Sequence, residues 1–157
     1  MKLNYIDQGT GQPIVLLHGM FGSLSNLGNI ARELATGYRV ISADLRNHGD
    51  SPHEQEMDIP CMADDIIELL DDLGLSSASL IGHSLGGKIG MQVALNYPSR
   101  ITKLVVADIA PVAYMPRQDA AFNGLRTLSG LEINSRGQAD TAMAAHVPES
   151  QTRSFLL

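Results

Sequence analysis

The sequence predicts an α/β fold, a mostly parallel sheet with helices on both faces. Three observations carry that expectation. Apolar runs of strand length alternate with stretches of helical spacing, and such alternation builds a parallel sheet with right-handed crossovers. The run Ile14-Val15-Leu16-Leu17 lacks the polar alternation of a strand with one wet face, so it reads as buried on both. The length of 157 residues suffices for one domain with a real core.

Taken in order, Leu3 to Ile6 reads as a short first strand before the turn Gly9-Thr10-Gly11. Pro13 to His18 is the doubly buried strand, Leu27 to Leu34 is a helix ending at Gly37, and Tyr38 to Asp44 is a second buried strand. Pro60 to Leu73 is a helix opened by proline in its first turn and closed by Gly74. Its acids Asp64, Asp65, Glu68, Asp71 and Asp72 are expected on a solvated face opposite Ile66, Ile67, Leu69, Leu70 and Leu73. Ala78 to His83 and Thr102 to Asp108 are strands, joined by a helix over Leu85 to Tyr97. After Pro111 the pattern changes: residues 112–157 look helical throughout, with Phe122, Leu125 and Leu128 on one face.

Composition excludes several functions. The net charge is −6 with no cluster of Lys or Arg, which argues against nucleic acid or an anionic membrane as partner. No apolar run reaches the length of a membrane span, and Met1-Lys2-Leu3-Asn4 does not begin a signal peptide, so a cytoplasmic setting is expected. Cys61 is the single cysteine, expected as a buried structural thiol at the start of a helix.

The chemistry concentrates in Gly82-His83-Ser84-Leu85-Gly86, a G-x-S-x-G segment between a strand and a helix. A turn that sharp brings together the residues two before and two after the serine. Gly82 and Gly86 remove the side chains that would collide there. Ser84 then stands above the strand ends at a helix N-terminus, where partial positive charge favours a developing oxyanion. His18-Gly19-Met20-Phe21-Gly22 follows the first buried strand, where an oxyanion loop belongs. The backbone N–H groups of Met20 and Leu85 are the expected donors, with Phe21 in place of Met20 if the loop is shifted by one residue. His18 is expected to brace this loop. Asp44-Leu45-Arg46-Asn47-His48-Gly49-Asp50-Ser51 has the composition of a tight loop after the next strand.

In this order L-L-H-G-M-F-G-S, D-L-R-N-H-G-D-S, G-H-S-L-G-G-K and V-V-A-D-I-A-P-V resemble the α/β-hydrolase superfamily, and within it the small bacterial esterases of the YbfF type. The resemblance covers nearly the whole chain and is densest up to Tyr114. It implies a serine esterase with Ser84 as nucleophile, no metal or organic cofactor, and a helical cap beginning at Val112. The order Ser, acid, His in this superfamily points to Asp108 as the acid, at the end of the strand after the nucleophile helix. Its other reading is a cap on the turn into Pro111.

The base is harder to place. His18 and His48 precede the serine, His53 lies in a polar loop, and the ring of His83 cannot easily turn back onto the neighbouring hydroxyl. His146 alone follows both Ser84 and Asp108, but in a stretch that reads as cap helix. Relatives continue through two more strands and a loop bearing the histidine, whereas Phe155-Leu156-Leu157 resembles the middle of a cap helix. The chain therefore reads as the N-terminal part of a hydrolase, with the C-terminal remainder as partner and an ester or thioester as substrate. The competing class is a non-catalytic chain that keeps the elbow and lacks the base.

Overall fold

A computed structural model describes residues 1–114 and 119–157, and it divides into two compact units, Met1–Pro111 and Val112–Leu157. In the first unit five strands, β1 (Tyr5–Gln8), β2 (Pro13–Leu17), β3 (Arg39–Ala43), β4 (Ala78–His83) and β5 (Ile101–Ala107), form one sheet in the order β1-β3-β2-β4-β5. β1 is antiparallel to β3, and the other four strands are parallel.

Burial of both faces explains the continuous apolar runs. Ile14, Leu16 and Val40 face Ala31 of helix α1 (Gly28–Leu34). Val15, Leu17, Ile41 and Leu80 face the opposite side, where helices α2 (Ile59–Asp72) and α3 (Leu85–Asn96) supply Met62, Ile66, Leu70, Ile89 and Val93. The first strand lies two residues later than its apolar residues predicted. Leu3 is buried in the core, but Tyr5 to Gln8 make the ladder to β3, so hydrophobicity marked the core contact and not the pairing. A 3-10 turn over Leu24–Leu27 takes the place of the first residue expected in α1.

Helix α2 corrects a second expectation. Asp65 is not on a solvated face: it is 2 % exposed, on the same side as Met62 and Leu69. Its carboxylate accepts two hydrogen bonds from the Arg46 guanidinium (2.6 and 2.7 Å) and a third from the Met1 amino group (3.2 Å). Pairing of this kind is what lets a carboxylate sit among apolar side chains. Cys61 is half-buried rather than buried; its Sγ accepts from the Asp58 N–H (3.3 Å), while Asp58 Oδ1 accepts from the Cys61 N–H (2.8 Å), which caps the helix.

The second unit consists, among the described residues, of three helices: α4 (Asp119–Ser129), α5 (Arg136–Met143) and α6 (Ser150–Leu156). Gly124 packs closely against the end of α5, since a Cβ there would stand 3.1 Å from Met143 Cε and 3.2 Å from Val147 Cγ2. Arg153 ties α6 to α5 through Asp140 (2.8 and 3.2 Å) and to the intervening turn through the Val147 and Pro148 carbonyls. Leu125 and Leu128 are half-buried, whereas Phe122 is 41 % exposed.

Candidate active site

β2 lies between β3 and β4, so the chain leaves β2 on one side and returns to its other side. Open parallel sheets bind ligands at such a reversal, outside the carboxyl ends of the strands. All four parallel strands end at that edge, and each is followed by a non-glycine residue in the left-handed region: Phe21 (φ 62°), Asn47 (63°), Ser84 (50°) and Asp108 (58°). These are all such residues in the described chain. Strain of this kind collects where surrounding structure holds a backbone for function.

Ser84 has φ 50° and ψ −110° between β4 and α3. A Cβ on Gly82 would lie 2.2 Å from the Gly86 carbonyl oxygen, and one on Gly86 would lie 2.3 Å from the Leu17 carbonyl oxygen. Both glycines are therefore required by backbone packed against backbone. The Ser84 N–H donates to Ala107 O (3.0 Å), which sets Asp108, the next residue, beside the turn. The Asp108 side chain is 84 % exposed, and its Oδ2 lies 3.6 Å from His83 Nε2. That proximity of His83 to the acid was not foreseen.

The loop after β2 is held from several sides. His18 is buried, donates from Nδ1 to Gly19 O (2.8 Å) and accepts the Leu45 N–H at Nε2 (3.1 Å). Burial lowers its pKa below the usual imidazole range, more than the hydrogen bond to Gly19 raises it. The Gly86 N–H donates to His18 O (3.1 Å) and the Gly22 N–H to Gly19 O (3.1 Å). The Phe21 N–H donates to His48 Nε2 (3.1 Å), so this N–H is already engaged. Neither the Met20 nor the Leu85 N–H has an acceptor among the described residues.

Asp44 anchors the loop after β3. Its carboxylate accepts from Leu24 N (2.7 Å), Asp50 N (3.0 Å) and Asn4 Nδ2 (2.8 Å). Burial pushes this carboxyl up, but the Leu24, Asp50 and Asn4 donors together hold it below the usual range. Gly49 (φ 52°) leaves the room: a Cβ there would meet the Asp44 carboxylate at 2.3 Å. The D-x-x-x-x-G spacing was the available signal for this anchor.

Among the described residues no imidazole bonds the Ser84 hydroxyl. Those of His18 and His48 are committed to backbone groups, His53 is exposed in the loop before α2, and His146 is exposed just after α5 in the other unit. No group of three His, Cys, Asp or Glu side chains among the described residues is placed to hold a metal ion.

A serine on a strained strand-to-helix turn at the switch point of a parallel sheet defines a class, and the comparison with known families agrees: the chain belongs to the alpha/beta hydrolase fold family, whose model matches residues 12–154. It is 43% identical to Esterase YbfF of Escherichia coli (strain K12), over 100% of this chain and 64% of that protein. It is 40% identical to the sn-1-specific diacylglycerol lipase ABHD11 of Xenopus tropicalis, over 98% of this chain and 50% of that one. The solved structure of a marine microorganism esterase matches with a TM-score of 0.89 at 34% identity, covering 99% of this chain and 62% of the other. The chain thus spans less than two thirds of the length of each of these relatives.

Proposed function

We propose that the protein hydrolyses a carboxylic ester or thioester through an acyl-enzyme formed on Ser84. The observation that carries this reading is the Ser84 turn, whose φ of 50° is maintained by two glycines that tolerate no Cβ. Ser84 Oγ attacks the acyl carbonyl while a histidine takes its proton, and the Met20 and Leu85 N–H groups stabilise the oxyanion. The leaving alkoxide or thiolate recovers the proton, and water then releases the acid by the same steps in reverse order. Asp108 orients the imidazole. No metal or organic cofactor takes part. An esterase and a diacylglycerol lipase among the relatives favour an ester over a thioester.

The base belongs to a segment outside these 157 residues, and residues 112–157 begin a helical cap. Two observations support this: the chain leaves more than a third of each relative's length uncovered, and β5 is a half-exposed edge strand beside Asp108. The test is hydrolysis of a short-chain aryl ester by the full-length enzyme. Ser84→Ala should abolish turnover, and Asp108→Asn should lower kcat by about 10⁴-fold with folding intact. The 157-residue chain alone should retain only what the oxyanion donors supply, roughly 10³–10⁴ over water. Full activity in a mass-verified 157-residue chain, lost in His146→Ala, would make His146 the base instead.

A further inference from the structure

Two histidines that acyl transfer does not use join the oxyanion loop to the loop beside it. From the β2 loop, His18 accepts the Leu45 N–H of the β3 loop at Nε2 (3.1 Å). From the β3 loop, His48 accepts the Phe21 N–H of the β2 loop at Nε2 (3.1 Å). Each loop thus lends an imidazole acceptor to a backbone N–H of the other. The rings meet edge to face, centroids 5.1 Å apart at 61°, and both are buried. Their remaining nitrogens are committed as well: His18 Nδ1 donates to Gly19 O (2.8 Å) and His48 Nδ1 to Arg46 O (2.9 Å).

The consequence lies at Met20. Its N–H belongs to the same planar peptide as Gly19 O, so the hydrogen bond from His18 to that oxygen sets the direction of the Met20 N–H. The next peptide carries the Phe21 N–H, which His48 holds. Both peptide planes flanking Met20 are therefore fixed by histidines. Phe21 needs this restraint, because its φ of 62° costs an L residue energy that a free loop would relax.

We propose that His48 is a positioning residue of the oxyanion hole, closing with His18 a reciprocal clamp on the two peptides of Met20. This rests on the reading of Met20 as an oxyanion donor. The clamp requires both rings to be neutral with the proton on Nδ1, the less common tautomer of free imidazole.

Three measurements on the full-length enzyme test it. In the wild type, ring ¹⁵N shifts should report the Nδ1–H tautomer for both His18 and His48; an Nε2–H form of His48 overturns the clamp without any variant being made. In His48→Leu, which removes the acceptor, hydrogen exchange at the Phe21 amide should rise at least about tenfold as the loop opens locally. The same variant should lose about 10- to 100-fold in kcat with KM within about threefold, a part of what deleting an oxyanion donor costs. His48→Gln, whose amide oxygen reaches the Nε2 position, should restore most of the kcat. Unchanged exchange at Phe21 overturns the clamp. Faster exchange with unchanged kcat overturns its link to catalysis and with it the Met20 assignment, while the role of Ser84, tested by Ser84→Ala, stands apart.

Discussion

Ser84 holds a conformation that costs about 1–3 kcal/mol, and its neighbours show where the restraint comes from. Gly82 and Gly86 pack carbonyl against α-carbon, so the turn has no room to relax. Gly86→Val should destabilise the fold by about 4 kcal/mol or more, measured by urea denaturation, because the intruding atoms meet the β2 backbone and not a movable side chain. Gly137→Ala, with nothing within 4 Å of the added carbon, should be neutral or stabilising by up to about 1 kcal/mol. A second residue-scale expectation concerns His18. Burial lowers its pKa in the fold, so the unfolded chain takes up its proton first as pH falls through 6.5. Stability contributed by the neutral ring is fully present above that pH and declines below it, with a limiting slope of about 1.4 kcal/mol per pH unit. Denaturation midpoints between pH 8 and 5.5 should show this decline, and His18→Gln should flatten it. At this scale the elbow was legible, because a steric rule ties glycine to fixed offsets from the serine. The bond from Phe21 N–H to His48 was not, since it joins residues 27 apart through a backbone group that has no letter in the sequence.

Helices and strands were read from periodicity, and periodicity fails where a polar group is buried with a partner. Helix α2 is the clearest case. Asp65 shares the buried face with Met62 and Leu69, yet its letter matches those of Asp64 and Glu68, which are not buried. The difference is Arg46, from a loop that spacing along the helix does not reveal. The Asp65 carboxylate holds the Arg46 guanidinium further above its already high range, mainly through their hydrogen bonds. Asp65→Ala should cost about 3–5 kcal/mol in chemical denaturation, since it leaves a buried guanidinium unpaired. The double variant Arg46→Met with Asp65→Leu should recover most of that loss. A double variant as unstable as the single would show that the pair is needed for more than mutual neutralisation. Edge elements fail differently: Tyr5 to Gln8 pair with β3 while none of these four residues is buried, so no buried face announced the ladder.

For the whole molecule, alternation of elements was enough to anticipate a parallel sheet, and the parallel course of β2 to β5 explains why the loops with strained residues fall on one edge. The far side of the sheet is less complete. Among the described residues β5 pairs only with β4, and its outward residues Lys103 and Val105 border a groove of about 160 Å³ with Ile14, Leu34, Tyr38 and Ile81. Val105 is 51 % exposed there. An edge strand presents unpaired N–H and C=O groups, and one beside exposed apolar surface invites another strand. The 157-residue chain on its own should therefore self-associate at roughly 10–100 µM, where transient or open edges pair. Size-exclusion chromatography with light scattering reads this directly. Val105→Lys places a second cation beside Lys103 on the open strand, so it should shift the distribution toward monomer while leaving the thermal midpoint nearly unchanged, as expected for an exposed position. A wild-type chain that stays monomeric over that range would show that the β5 edge and its apolar border do not drive association.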